Sequence, residues 1–224
     1  MALYKVEVKP ISTFKSNLTS ITVSGAIFNT IAQCYGVEEL ERIYTGAEVM
    51  VVSNMFNDKS GEFKSSFGTV DITRKTYTGK FNTFLNYSTR NMYFLVEASY
   101  DKDKLKRILE ITLKSGIGAI KSVGNGIFDI VDISEYSFDI ADVNGYMVLS
   151  DYIPDKNDST IGKFKARVYR SCDGDGNKKA PVFVINAGSK FKGVLKELHV
   201  GRILKDANTG TYISGQSIVM PIKV

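Results

Sequence analysis

The stretch "SGIGAIKSVGNGIFDI", Ser115 to Ile130, has the composition of a phosphate-binding loop, with four glycines and one lysine. It does not fit a P-loop, G-x-x-x-x-G-K-[ST], and Lys121 stands where a dinucleotide loop needs its last glycine. It also leaves a predicted helix, so it lies by that helix's negative end. We predict that any anion here is held by backbone N–H groups and Lys121, with a plain helix cap and turn as the alternative. The glycine candidates are Gly116, Gly118 and Gly124.

A second candidate is "GKFKARVYR", in which basic and apolar residues alternate. A strand here would place Lys163, Lys165 and Arg167 on one face and turn the apolar set, Phe164, Ala166 and Val168, toward the core. The cations would be spaced about 6 to 7 Å apart, close to the phosphate repeat of an extended nucleic acid strand. The alternative is a solvated sheet face.

The segment from Asn57 to Asn91 mixes six basic residues with aromatic ones, and only three acids offset them. Cations for phosphates beside aromatic rings for bases are typical of single-stranded nucleic acid binding. No RNP1 motif is present, so an ordinary RRM is excluded. The alternative is a long β-hairpin with some aromatics in the core. The basic candidates are Lys64, Arg74, Lys75 and Lys80.

Other chemistry is weakly supported. "CDGDGNKKAP" begins like a calcium loop, but it lacks the glycine at position six and the acid at position twelve, so it predicts a hairpin turn. Cys34 and Cys172 match no zinc spacing and are predicted to be reduced thiols. His199 is the single histidine, which leaves little support for histidine-dependent catalysis. We predict no metal, no cofactor and no catalytic residue.

The charge distribution points to a polyanion partner. The net charge is +5, and nine basic residues face three acids between Lys156 and Lys192. The sequence contains no run of 18 apolar residues and no signal-peptide pattern, so we predict a cytoplasmic protein without a membrane partner.

The periodicities predict an α+β protein. Residues 1–132 give the order strand, helix, strand, strand, helix, glycine loop, strand, which is the βαββαβ pattern of a ferredoxin-like (RRM-like) domain. An insertion spans about 57–91. Residues 133–224 show strand candidates and no convincing helix, which predicts a β-rich second half. No low-complexity linker separates the two.

A ferredoxin-like domain with a glycine-rich loop before its last strand resembles the RAMP superfamily (repeat-associated mysterious proteins) of CRISPR-Cas. The loop is similar in its closing Gly124, Gly126 and Phe128. Ser20 to Ala26 resembles the S-D-T-x-x-G-A motif of the subunit that caps the crRNA 5′ end in type III-A (Csm) complexes, and Gly188, Ser189 and Phe191 resemble its G-S-x-F element. The acid of S-D-T is Ile21 here, and the chain is short, which suggests a reduced second ferredoxin-like half.

The resemblance implies a non-catalytic subunit that holds the 5′ handle of the crRNA. Its partners would be the large polymerase-like subunit and a backbone RAMP subunit, with target RNA met indirectly, and residues 57–91 would form its thumb. RNA contacts are then expected at Ser20, Thr22, Ser24 and Lys190. The alternatives are a RAMP endoribonuclease using His199, the equivalent type IV subunit, and a protein-only module.

Overall fold

A computed structural model gives the fold of the chain as two compact units. The first comprises Met1–Met50 and Asn54–Tyr136, and the second comprises Ser137–Val224 with Val51–Ser53. The structure describes residues 1–15, 18–57, 73–78, 81–86, 91–118, 124–138, 142–156, 158, 161–171, 176–193 and 197–223. For residues 15, 57, 73–78 and 81–86 it describes the backbone alone.

The first unit combines helices with antiparallel strands. The elements up to residue 136 are β1 (Ala2–Pro10), β2 (Phe14–Lys15), α1 (Ser20–Tyr35), α2 (Val37–Tyr44), β3 (Met50–Val52), β4 (Phe56–Asn57), β5 (Thr73–Thr78), β6 (Phe81–Asn86), β7 (Met92–Ala98), α3 (Lys102–Lys114) and β8 (Phe128–Glu135), and of these only the last two residues of β3 are assigned to the second unit. The main sheet has the order β3-β7-β1-β8, and β4 also pairs with β7. In chain order, β1, α1, β3, β7, α3 and β8 form the βαββαβ pattern of a ferredoxin-like domain. The predicted α+β class is therefore confirmed.

The central strands form as their side-chain patterns dictate. β1 alternates, with Tyr4, Val6 and Val8 buried and with Lys5 and Glu7 joined by a 2.6 Å ion pair on the other face. β7 is buried along its whole length and pairs antiparallel with β1. β1 therefore occupies a central position between β7 and β8.

The helices cover this sheet through apolar stripes. Asp101 caps α3, accepting a hydrogen bond from the Lys104 N–H at 2.9 Å. Leu105, Ile108, Leu109, Thr112 and Leu113 are the buried residues of α3. The Thr112 hydroxyl donates to Thr30 of α1 over 2.8 Å. The C-cap of α3 is Ser115, and Gly116 follows with φ +85° and ends the helix.

The second unit is built from strands, and its described residues contain no helix. These strands are β9 (Gly145–Val148), β10 (Gly162–Lys163), β11 (Ala166–Tyr169), β12 (Val182–Ile185), β13 (Lys190–Lys192), β14 (His199–Lys205) and β15 (Tyr212–Ile222). Five of them form a sheet of order β10-β13-β9-β15-β14, while β11 and β12 form a two-stranded ribbon. The β-rich character predicted for this half is confirmed, and the helices of a full ferredoxin-like repeat are absent from its described part.

Two apolar clusters hold the second unit together. One surrounds Phe191, with Tyr146, Val148 and Tyr152 among its members. The other lies under the ribbon and consists of Ile153, Val182, Val184 and Ile213, with Tyr169 and Leu204 packed against it. Among the helices that the structure describes, none is long and apolar enough to cross a membrane.

Candidate nucleic-acid interface

The glycine loop is held in a conformation that side chains disfavour. Gly116, Gly118, Gly124 and Gly126 all have positive φ, from +73° to +92°. Gly126 is the tightest position, because a Cβ built on it would lie 2.0 Å from the carbonyl oxygen of Ile117. Lys121, which the sequence assigned to phosphate contact, lies outside the described residues.

Backbone hydrogen bonds clamp the two ends of this loop. The Ile117 N–H donates to the Gly126 carbonyl over 2.8 Å, and the Gly126 N–H donates to the Thr13 carbonyl over 2.8 Å. The Ile127 N–H donates to the Ser12 hydroxyl over 2.9 Å. The loop is therefore fixed to the connection between β1 and β2. Sequence reasoning missed Ser12 and Thr13, because nothing local to them signals a partner more than 100 residues away.

The start of α1 lies beside the loop. A Cβ built on Gly118 would lie 3.3 Å from Leu18 Cδ2 and 3.9 Å from Thr22 Cγ2. The loop thus follows the negative end of α3, as predicted, but also adjoins the positive end of α1. The sequence prediction considered only the helix that the loop leaves, whereas Leu18 and Thr22 place the start of a second helix beside it. We call Leu18–Thr22 together with Gly116–Gly118 the loop-helix surface.

The first turn of α1 is only partly capped. The side chain of its N-cap residue, Thr19, makes no capping hydrogen bond, and its hydroxyl lies 3.2 Å from that of Thr22. The Ser20 N–H instead donates to Asn54 Oδ1 over 2.8 Å. Asn54 was missed by sequence reasoning, because it lies 34 residues further along the chain. Helix starts with N–H groups of this kind favour anions.

The three motif residues of α1 have different surroundings. Thr22 is partly exposed and faces Gly118. Ser20 is buried at 4% exposure, and within the described part of the chain its hydroxyl has no hydrogen-bond partner. Ser24 is buried, and its hydroxyl donates to the Ile21 carbonyl over 3.3 Å. Thr22 is therefore the motif residue that meets the loop at the surface.

Two of the basic candidates from the aromatic segment fall on a hairpin. Arg74 and Lys75 belong to β5, opposite Leu85 and Phe84 of β6. Lys64 and Lys80 lie outside the described residues. β2 pairs with β6, so the backbone of this hairpin is joined to the residues that precede α1.

In the second unit, "KFKARVYR" is not one strand with a buried apolar face. It is divided between β10 and β11, which belong to different sheets, and Phe164 and Lys165 lie between them. Phe164 and Val168 are 48% and 52% exposed, so the prediction that the apolar set faces the core is wrong. The physical reason is that the core of this unit is already filled by residues of β9, β12, β13 and β15.

The structure brings Lys163 and Lys190 together across 27 residues of sequence. β10 pairs antiparallel with β13, and the two lysines stand directly opposite each other on exposed positions. Cross-strand partners share a face of the sheet, and like charges placed so destabilise it. Lys163, Lys165 and Lys190 form no ion pair with any residue that the structure describes. This arrangement favours an anionic partner.

Arg167 is engaged elsewhere. Its Nη2 lies 2.6 Å from Asp151 Oδ2, and the other oxygen of Asp151 accepts the Ala187 N–H over 2.9 Å. Asp151 is buried, so its carboxylate needs both donors. The pair offsets the charge of Arg167 and ties β11 to the residues after β12.

Among the described residues, the single histidine lies beside one acid and in no metal-binding cluster. His199 begins β14, and its Nε2 lies 3.6 Å from Glu197 Oε2. Across the described ranges, no group of three or more His, Cys, Asp or Glu side chains could hold a metal ion. Asp173 and Asp175, from the calcium-like stretch, lie outside the described residues.

Comparison with known proteins identifies the fold. No protein-family model matches the sequence, and no curated protein matches it. A chain of the Csm3-Csm4 subcomplex of the type III-A CRISPR-Cas interference complex is similar over 100% of both chains, with a TM-score of 0.65 and 15% identity. A chain of the Csm1-Csm4 cassette in complex with one ATP is similar over 100% of this chain and 99% of that one, with a TM-score of 0.64 and 14% identity. These similarities confirm the fold that the sequence resemblance implied.

Proposed function

We propose that this chain is a non-catalytic, RNA-binding subunit of a type III CRISPR effector complex. It holds the 5′ handle of the crRNA and joins the large polymerase-like subunit to the backbone RAMP subunit. The observation that supports this most strongly is the whole-chain similarity to a chain of the Csm3-Csm4 subcomplex, at a TM-score of 0.65. Csm4 is the component common to that complex and to the Csm1-Csm4 cassette, which supports two protein partners of these kinds.

The loop-helix surface is where we propose that the first unit contacts the crRNA backbone. Its two positive-φ glycines, Gly116 and Gly118, lack side chains that would keep a partner away from the backbone N–H groups. The first turn of α1, which Asn54 caps only in part, adds a positive helix end beside Gly118. Both features attract phosphate oxygens without reading a base, which suits a handle held by its backbone.

Replacing Thr22 by Asp separates RNA binding from folding. An acid in the first turn of a helix stabilises it by about 0.3 to 1 kcal/mol, so the variant is expected to fold as well as the parent. The same carboxylate repels a phosphate at Gly118, so RNA affinity is expected to fall about tenfold. Asn29→Asp is the matched control, because Asn29 is exposed on α1 but lies away from its start.

The measurement is the amount and sequence of RNA that co-purifies after co-expression with candidate partner subunits and a repeat array. We expect short crRNA with a uniform 5′ end in the parent and in Asn29→Asp, and less of it in Thr22→Asp. RNA retained equally by all three would contradict the assignment of this surface. A parent chain without crRNA would overturn the proposed function.

Absence of catalysis is part of the same proposal. His199 has a side chain only 12% exposed and lies beside Glu197, and a general base must reach the proton that it removes. Repeat RNA incubated with the protein is therefore expected to stay intact. Specific cleavage that disappears in His199→Ala would instead identify a RAMP endoribonuclease.

A further inference from the structure

A stack of aromatic rings in the second unit ends in an exposed ring. Tyr146 and Phe191 are buried, and their centroids are 5.3 Å apart at 24°. Phe164 stacks on Phe191 with centroids 5.9 Å apart at 16°. Phe164 nevertheless stays 48% exposed, so about half of this residue is open to a further ring. The buried members fix the orientation of Phe164, which makes it a prearranged platform.

Lysines that form no ion pair with a described residue lie near the platform, at the edge of the sheet. Lys163 and Lys165 flank Phe164 in sequence, and Lys190 stands opposite Lys163 on β13, on the face turned away from Phe191. β10 is an edge strand, because among the described strands it pairs with β13 alone. An extended chain can therefore pass along this edge, and its negative charges would relieve the repulsion between Lys163 and Lys190.

We infer that Phe164 is a base-stacking platform for single-stranded RNA, with Lys163 and Lys190 holding an adjacent phosphate. The inference rests on the proposed function, since the RNA is the one that this subunit binds, and it adds a second contact that is independent of the loop-helix surface. Stacking of a base on an aromatic side chain tolerates every sequence, because each base has a flat face. An RNA ligand accounts for both the exposed ring and the unpaired lysines, whereas an apolar protein surface accounts for the ring alone.

The test uses the full chain and a short unpaired RNA labelled with fluorescein. We expect Phe164→Ala to weaken binding about tenfold, and Phe164→Tyr to bind like the parent because it keeps the ring. Phe183→Ala is the matched control. Phe183 is 52% exposed in the same unit but is flanked by two valines rather than lysines, so its loss should leave affinity unchanged.

Salt dependence separates the two parts of the site. Lys163→Gln and Lys190→Gln should each reduce the slope of log affinity against log salt, and the two together should reduce it by about 0.7, the value for one phosphate contact on a single strand. Phe164→Ala should lower affinity and keep the slope. RNA carrying 2-aminopurine should lose fluorescence on binding to the parent and to Phe164→Tyr, and keep it with Phe164→Ala.

The outcomes distinguish this inference from the proposed function. A parent chain that binds no RNA would overturn both. A parent that binds RNA while Phe164→Ala and Phe183→Ala bind it equally well would overturn the platform alone. RNA binding unchanged in Phe164→Ala, with weakened association to a Csm1-like or Csm3-like subunit, would assign the ring to a protein interface instead.

Discussion

The two RNA contacts that we propose, one in each unit, are of opposite kinds. In the first unit, the loop-helix surface offers mainly backbone N–H groups, and hydrogen bonds to Thr13 and Ser12 hold the loop in shape. In the second unit, the contact consists of side chains on strands, with Lys163 and Lys190 opposite each other and Phe164 at the end of a ring stack. Backbone contacts depend on one loop conformation, whereas lysines on a sheet edge depend on charge. The first should therefore be sensitive to geometry and the second to salt.

The largest effect is expected from Gly126→Ala. Its Cβ would lie 2.0 Å from the Ile117 carbonyl at a φ of +73°, so the hydrogen bond between Ile117 and Gly126 must break. We expect a loss of about 3 kcal/mol or more in the free energy of unfolding, together with loss of crRNA. Urea denaturation and co-purified RNA measure the two effects.

Gly124→Ala is the matched control for that change. Gly124 has a similar φ of +83°, but among the described residues other than its chain neighbours no atom lies within 4 Å of the Cβ position. Only backbone strain remains, which costs about 1 kcal/mol. Equal destabilisation by the two substitutions would show that the clamp at Gly126 does not hold the loop.

A smaller effect is expected from Arg167→Gln. This variant compares an ion-paired cation of the second unit with the lysines that form no ion pair. Arg167 pairs with buried Asp151, so its loss should lower the free energy of unfolding by about 1 to 2 kcal/mol. Because its charge is already offset, the salt slope of RNA binding should change little. Lys163→Gln, at a position without an ion pair to a described residue, should instead reduce the salt slope and leave the free energy of unfolding nearly unchanged. A salt slope reduced by Arg167→Gln to the same extent as by Lys163→Gln would return Arg167 to the RNA-binding set.

The sequence could predict what depends on local periodicity. The alternation in β1, the cap at Asp101 and the glycines after α3 are local signals, and the ferredoxin-like order follows from them. The pairing of Lys163 with Lys190 and the capping of α1 by Asn54 depend on distant segments, which no local pattern reports. The alternation in "KFKARVYR" was misleading for the same reason, because the core places of the second unit are filled by other strands.

The smallest effect is expected for the pH dependence of stability, through the lowered pKa of one carboxylate in each unit. Hydrogen bonding to Lys104, 2.5 Å away, lowers the pKa of Glu39 in the first unit. Burial raises the pKa of Asp206 in the second unit, but hydrogen bonds from Thr209, Ala180 and Asn208 outweigh it, so this pKa is also lowered. Each carboxylate therefore adds stability above its unfolded pKa, and this is lost as pH falls through the lower, folded pKa.

Salt should separate these two carboxylates. The partner of Glu39 is a partly exposed ammonium group, whose attraction added salt screens, whereas Asp206 is held by backbone and hydroxyl donors at short range. Carboxyl titration by NMR at low and high salt should show the pKa of Glu39 rising toward its ordinary value while that of Asp206 stays. Asp206→Asn should also flatten the acid side of the stability profile. If salt raised both pKa values equally, charge rather than short hydrogen bonds would be the cause of the lowered pKa of Asp206. The contrast between the two units would then be limited to the RNA contacts that we propose.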